Sequence, residues 1–400
     1  MYPLLPGLLI RMIDMYSQWY IIYGCYAQFK GNGDWVIDAV LWHQSPNHYI
    51  TQSPFGILMP DQSHLMPLDR DFREYLFQRY QEYGRKYRCP DMTQQTFEAW
   101  QPQARLKLAE TLRMPDVLGS PEFVREKIDP DNQPWSAGQC DGAFHLERVQ
   151  YQSMPGVRVP GYLLVPEGLQ EPAPAILCPP GHGKGMNQVV FEAGIYNHYA
   201  CELARRGFVV LVPEHIGFGE RKPSHFGEHG YYTGVAQLMG YTMYGVYIKE
   251  LMRALDILTS LEEVDADRIG CYGLSLGGVT TLLISALDLR IRTVCISGFL
   301  TSFKSTFMDV AHCVCGNVQD LALNFEHVDI AALIAPRPLV VESGRADSGF
   351  PIDAARSTVQ GLTAYYALYN QTDRLAHDIF DGSHEISGRI AFDWFDKWMK

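Results

Sequence analysis

The residues best equipped for chemistry in this chain are Gly273-Leu274-Ser275-Leu276-Gly277, with Gly278 behind them. The spacing G-x-S-x-G is that of a nucleophile elbow, a sharp turn between a strand and a helix that exposes a serine hydroxyl. Side chains two residues to either side would collide with such a turn, which explains the glycines. The flanks agree with this reading. Asp267–Tyr272 reads as a short apolar strand entering the turn, and Val279–Leu289 (VTTLLISALDL) reads as a buried helix leaving it.

A serine hydroxyl is a weak nucleophile at neutral pH. It needs a histidine base, and the histidine needs a carboxylate to hold its tautomer. Around an elbow of this kind the chain order is serine, acid, histidine. The strand Pro338–Ser343 ends in a glycine turn, and Asp347 follows it at the strand's carboxyl edge, so Asp347 is the expected acid. Asp353 falls at the start of the next helix and Glu342 lies inside the strand, which makes both weaker candidates. His384, in Asp381-Gly382-Ser383-His384-Glu385, sits between the last strand and the last helix and is the expected base. His377 falls within a strand and reads as structural.

Acyl transfer also needs preorganised N–H donors for the developing oxyanion. One expected donor is Leu276, the residue after the nucleophile. The other is expected in the turn Pro180-Gly181-His182-Gly183-Lys184-Gly185, with Lys184 N–H preferred and Gly183 as the alternative. This turn fails both phosphate-cradling patterns: Gly185 stands where a P-loop has Ser or Thr, and Met186 where G-x-G-x-x-G ends. His182, in the same turn, and Glu214, after the strand 207–213, are candidates for substrate contact. A plain ion pair of Glu214 with Arg221 is an equal reading.

Positioning these residues takes an ordered scaffold. Helical patterns span 69–88 and 96–112, and Pro115 and Pro121 then interrupt the pattern. A hairpin is expected over 144–152 and 158–165 around Pro155-Gly156. Strands follow at 173–178, 207–213, 268–272, 293–298, 338–343 and 375–380. They alternate with helices at 191–206, 244–261 and 386–399. Alternating βα units imply a mostly parallel central sheet with helices on both faces, behind a helical N-terminal lead-in. The expected organisation is an N-terminal extension over 1–58, a lead-in over 59–135 and a catalytic domain over 136–400.

The chain has 400 residues, 47% hydrophobic, and a formal net charge of −12. Such a surface repels phosphates, so neither nucleic acid nor anionic lipid is an expected partner. No run of about 20 apolar residues is present to cross a bilayer, and no basic start precedes the apolar N-terminus. With nine cysteines, several of them in apolar strands, a reducing cytoplasmic setting is the expectation. His312-Cys313-Val314-Cys315 lacks C-x-x-C spacing and a second ligand pair, so no metal and no cofactor are expected. The aromatics Tyr231-Tyr232 and Tyr241–Tyr247 read as core rather than pocket by their helical spacing.

With elbow, acid, histidine and glycine turn in order, the chain resembles the α/β-hydrolase superfamily. More narrowly it is similar to dienelactone-hydrolase-like and acetyl-xylan-esterase-like bacterial serine hydrolases. The stretches that carry the likeness are CPPGHGKG, VDADRIGCYGLSLGG, DIAALIAPRPLVVESGRAD and FDGSHE, with FEAWQPQARLKLAETL in the lead-in. The resemblance spans roughly residues 95–400 and implies an α/β-hydrolase fold and a cofactor-free serine carboxylesterase. Ser275, Asp347 and His384 take its triad positions. The expected substrate is a small-molecule or carbohydrate ester. A lactone, a peptide or a carbon–carbon bond cleaved by the same triad is the alternative, and a non-catalytic binding module is a distant third.

Overall fold

The computed structural model describes residues 25–30, 34–39, 68–116, 119–129, 142–192, 194–223 and 229–400. Two compact units divide the chain, residues 1–67 and 68–400. Within the first, β1 (Cys25–Lys30) pairs antiparallel with β2 (Asp34–Ala39). The N-terminal segment, which shows no periodicity in sequence, therefore contains a hairpin.

The second unit is built on a nine-stranded sheet. Its strands are β3 (Val124–Lys127), β4 (Phe144–Met154), β5 (Val157–Pro166), β6 (Ala173–Leu177), β7 (Val209–Pro213), β8 (Val264–Leu274), β9 (Ile291–Ser297), β10 (Leu339–Gly344) and β11 (Leu375–Phe380). The order across the sheet is β11-β10-β9-β8-β6-β7-β5-β4-β3. The six strands from β11 to β7 run parallel, and β5, β4 and β3 continue the sheet antiparallel. The turn at Pro155-Gly156 sets the β4–β5 register, in which Tyr151 faces Val159. Strand β3 has mostly exposed residues, which is why periodicity did not reveal it.

Helices cover both faces: α1 (Leu68–Tyr83), α2 (Gln94–Leu112), α3 (Met186–Val190), α4 (Tyr199–Arg205), α5 (Gly230–Leu238), α6 (Met243–Leu258), α7 (Leu276–Leu287), α8 (Leu321–Asn324), α9 (His327–Ala332), α10 (Ile352–Ala367) and α11 (Ala391–Met399). Side chains alternate across each strand, so one strand feeds two cores. Leu339 and Val341 pack with α2, α6 and α7, while Val340 packs with α4 and α11 on the other face. The lead-in is integral to the first of these cores. Phe97, Ala104 and Leu108 of α2 are buried there, and Arg105 donates to the carbonyls of Ala286 and Leu333 at 3.0 and 2.8 Å. The break expected near residue 135 does not separate two units, because residues 68–400 cluster as one.

One expected helix is shortened to its second half. Residues 191–206 form no single helix; α3 ends at Val190, and α4 begins only after Asn197 and His198, both in the left-handed region at φ +54° and +51°. The last helix is shorter than its amphipathic pattern, because residues 386–390 form a loop in which Gly388 takes φ +67°.

The sheet order reverses between β6 and β8: the chain leaves β6 for β7 on one side, then returns to place β8 on the other. In open parallel sheets the crevice at such a reversal, at the carboxyl ends of the strands, is where ligands bind. The loop after β6 is Cys178–Gly185, and the loop after β8 begins at Ser275.

Candidate active site

Strand β8 delivers Ser275 into the turn before α7 with φ +63° and ψ −119°, a conformation that costs a non-glycine residue about 1–3 kcal/mol. The surrounding structure holds it there. Ser275 N–H donates to Ser297 O at 3.1 Å. A Cβ on Gly277 would lie 2.2 Å from Pro179 O, and one on Gly273 would lie 2.5 Å from Gly277 O. The two motif glycines thus let the elbow close on itself and on the loop after β6. Leu276 opens α7, so its N–H is one of the helix's first donors without an intrahelical partner and sits at the positive end of the helix dipole.

Three residues past the end of β10, Asp347 is buried, its side chain 3% exposed. Its Oδ1 accepts from the N–H groups of Gly349 and Phe350 at 3.0 and 3.1 Å. Its Oδ2 lies 2.7 Å from His384 Nδ1. Facing a carboxylate, Nδ1 carries the proton, and Nε2 keeps its lone pair. Phe350 stacks on the His384 ring at 5.3 Å and 19°. The histidine loop is tied down on both sides: Ala346 N–H donates to Gly382 O at 2.9 Å, and Gly388 N–H donates to Glu342 Oε1 at 2.8 Å. Glu342 is fully buried, takes a second bond from Tyr272 OH at 2.8 Å, and is pushed by burial up to about 7. Its place is inside the strand, as expected. Asp353 lies in the first turn of α10 with its carboxylate exposed beside Arg356. His377 pairs with Ser343 Oγ at 3.0 Å, and burial lowers it to about 4.

The loop after β6 departs from expectation. Lys184 N–H donates to Gln188 Oε1 at 3.1 Å, so it is committed within the loop and does not suit an oxyanion. Gly183, at φ +123°, backs onto the same Gln188 side chain, and neither residue lines the cleft at Ser275. His182 does line it, together with Ser275 and Leu276. Gln188 laces the loop into shape by donating to the carbonyls of Gly181 and His182 at 3.3 and 3.2 Å. Nothing in the spacing of the chain marks Gln188 for that task.

Glu214 is not among the residues lining the cleft. Its carboxylate lies beneath the loop and accepts from Met186 N–H at 3.1 Å, where α3 begins. Burial raises it to about 7. The ion pair with Arg221 is also absent: Arg221 pairs with Glu250 through two 2.7 Å bonds and reaches only the carbonyl of Glu214. Next to it, His215 is buried against Tyr247, and burial lowers it to about 3.

The cleft holds about 300 Å³ of empty space, part of it open to solvent. Tyr244, Val279, Phe299, Thr306, Phe307 and Phe350 form part of its wall. His312 joins them, its Nε2 3.1 Å from Gly349 O. Of the aromatics read as core, Tyr244 and Tyr247 are buried, Tyr244 at the edge of the cleft, whereas Tyr231 and Tyr241 are exposed.

The expectation of no metal-ligand set also meets a different geometry. Cys313 and Cys315 lack a second ligand pair in sequence, but the fold supplies one from His182 and His229. The four ligand atoms lie within 4.8 Å of one another. Hydrogen bonding from Cys315, and then from His182 and His229, holds the Cys313 thiol well below its usual range. Cys89, Cys178, Cys201, Cys271, Cys295, Cys313 and Cys315 are free thiols, and no described helix is long and apolar enough to cross a membrane.

Comparison with known proteins agrees with this architecture. A Bacillus subtilis (strain 168) protein named "Putative hydrolase YtaP" is 31% identical over 227 residues, covering 54% of this chain and 74% of its own. Acetyl esterase Axe7A of Xylanibacter ruminicola is 32% identical over 147 residues, covering 34% of this chain and 31% of its own, so the match spans about a third of that relative. A solved structure from Bacteroides fragilis, titled a "putative acetyl xylan esterase", superposes with a TM-score of 0.65 at 18% identity, covering 77% of this chain and 81% of its own. The sequence profile of the Abhydrolase family matches residues 81–371, a span that holds the elbow, the loop after β6 and Asp347. With the reversed parallel sheet and the strained serine at its crevice, that match places the chain in the Abhydrolase family.

Proposed function

We propose that this protein is a serine carboxylic-ester hydrolase that works through an acyl-enzyme and accepts a small acyl group such as acetyl. The observation that carries the proposal is the 2.7 Å contact of Asp347 with His384 Nδ1, whose ring stacks on Phe350 in the wall of the cleft that holds Ser275. Ser275 is the nucleophile. His384 Nε2 takes its proton as the hydroxyl attacks the ester carbonyl, then returns it to the leaving alcohol. The buried Asp347 stabilises the imidazolium between those steps. Water then attacks the acyl-serine by the same route in reverse.

The oxyanion falls to the N–H of Leu276, reinforced by the α7 dipole, and to the N–H of His182, the loop residue that lines the cleft in place of Lys184. Phe299, Phe307 and Tyr244 border the cleft beside Ser275, which favours a small acyl group. No Lys or Arg is among its lining residues, which favours a neutral ester over one bearing a carboxylate. The similarity to an acetyl esterase supports acetyl as the acyl group, and the alcohol we propose is a carbohydrate. Hydrolysis of p-nitrophenyl acetate and butyrate by the wild type and by Ser275→Ala tests the reading. Acetate turnover that exceeds butyrate and disappears in the variant is the expected result, and undiminished turnover in Ser275→Ala overturns it.

A further inference from the structure

Three loops distant in sequence bring two imidazoles and two thiols to one point beside the cleft. His182 comes from the loop after β6, His229 from the residue preceding α5, and Cys313 and Cys315 from the short turn at 313–316. The separations are wide, 84 residues between His229 and Cys313 and 133 between His182 and Cys315, so no local pattern produces the grouping. His229 Nε2 lies 2.6 Å from Cys313 Sγ, and His182 Nε2 lies 3.5 Å from Cys315 Sγ. All four donor atoms fall within 4.8 Å of one another.

From this arrangement we infer a zinc(II) site of Cys2His2 type, formed by His182, His229, Cys313 and Cys315. The donor set is the first reason. Two sulfurs and two imidazole nitrogens, with no carboxylate, match a borderline-soft ion that favours four tetrahedral ligands. Dimensions are the second. Zinc–sulfur bonds of about 2.3 Å and zinc–nitrogen bonds of about 2.0–2.1 Å place neighbouring donors of a tetrahedron roughly 3.3–3.8 Å apart. The four atoms need only shifts of about an ångström to meet that geometry, and the close His229–Cys313 contact is relieved rather than worsened.

The surroundings are the third reason. Cys315 N–H points at Cys313 Sγ from 3.4 Å, the kind of backbone donor that steadies a thiolate ligand. Phe218 stacks on the His229 ring at 4.5 Å and meets the His182 ring edge-on at 5.4 Å, which fixes both imidazoles. Without an ion, two thiols and two imidazoles make poor mutual partners, since a thiol is a weak donor.

Binding is balanced as Zn²⁺ plus two thiols and two neutral imidazoles, giving the tetra-ligated ion and two released protons. Four protein ligands leave no open position, so the ion is a clip and not a Lewis acid for the ester. What it clips is the wall of the cleft. His182, Cys313 and Cys315 all line the cavity that contains Ser275, and His182 supplies the backbone N–H assigned above to the oxyanion.

The test is metal analysis of the full chain, purified under reductant without chelator. About one zinc per chain is expected, falling at least tenfold in Cys313→Ser and in Cys315→Ser. As these variants can fail to fold, wild-type protein stripped by chelator is titrated with cobalt(II). Sulfur-to-cobalt charge-transfer absorption with intense tetrahedral visible bands, saturating at one equivalent, is the expected signature. Absence of stoichiometric zinc together with absence of sulfur-to-cobalt absorption overturns the inference, as does metal retained at wild-type level in both cysteine variants. Neither reading uses a substrate. An active esterase that neither carries zinc nor gives the cobalt signature sinks this inference alone, and a zinc-bearing protein without esterase activity sinks only the proposed function.

Discussion

Replacing Asp347 with asparagine exchanges one oxygen for NH2 and separates the acid's electronic role from its packing. In the wild type the carboxylate serves three donors, Gly349 N–H and Phe350 N–H on Oδ1 and His384 Nδ1–H on Oδ2. An amide has one oxygen to share. Turned with NH2 toward the two backbone donors, it leaves them buried and unsatisfied, at about 1–3 kcal/mol each. Turned the other way, it keeps both backbone bonds and donates to His384. That orientation is preferred, and it makes Nδ1 an acceptor and moves the imidazole proton to Nε2, the nitrogen proposed to take the Ser275 proton. The base is then in the wrong tautomer. The expected loss in kcat is on the order of 10⁴-fold, or about 5 kcal/mol of transition-state stabilisation. The fold keeps its hydrogen bonds, so stability changes by less than about 1–2 kcal/mol. The assay is p-nitrophenyl acetate hydrolysis beside a thermal melt. A folded Asp347→Asn that retains more than about a tenth of wild-type kcat refutes the assignment of Asp347 as the histidine's partner.

Other perturbations read different parts of the site. Gly298 takes φ +51°, and a Cβ there would lie 3.1 Å from both Nδ1 and Cε1 of His384, so Gly298→Ala is expected to displace the imidazole and lower kcat at least tenfold with KM little changed. Phe307→Ala removes part of the cleft wall and is expected to raise the butyrate-to-acetate ratio of kcat/KM by about tenfold, the worth of a methylene or two in an apolar pocket; an unchanged ratio places the acyl group elsewhere. Burial raises Glu214 from its ordinary 4.5 to about 7, so the folded state holds that proton more tightly than the unfolded chain does. Its stabilising contribution is complete below about pH 4.5 and is lost as pH rises through about 7, amounting to about 3 kcal/mol. Glu214→Gln, which cannot ionise, is therefore expected to lose less stability than the wild type between pH 5 and pH 8 in paired melts, and equal losses contradict the assignment.

What the sequence revealed was local, and what it concealed was tertiary. The elbow is legible because strand, strained serine and helix are contiguous, and the glycines at 273 and 277 answer a steric demand within a few residues. Asp347 and His384 are legible because each follows a short strand, β10 or β11, whose end lies at the carboxyl edge of the sheet. Strand–helix alternation likewise gives the parallel sheet, whereas the exposed strand β3 leaves no apolar trace. The loop after β6 was legible as a glycine turn but not in its detail. Which N–H faces the serine depends on Gln188, whose side chain folds back to take Lys184 N–H. Glu214 sits at a strand end facing the crevice, but its carboxylate turns beneath Met186 instead of toward substrate. The break between α3 and α4 depends on two left-handed residues that no apolar period records. The His182, His229, Cys313 and Cys315 cluster is assembled across more than a hundred residues, so spacing rules written for contiguous ligand pairs pass over it.

The central claim is that Ser275 is an activated nucleophile. A fluorophosphonate probe incubated with the folded chain, followed by mass spectrometry of its peptides, reads this whatever the natural ester is. The account predicts stoichiometric phosphonylation on Ser275, slowed by at least a hundredfold in His384→Ala. A folded wild type that remains unlabelled at Ser275, or labels there equally fast without His384, contradicts it.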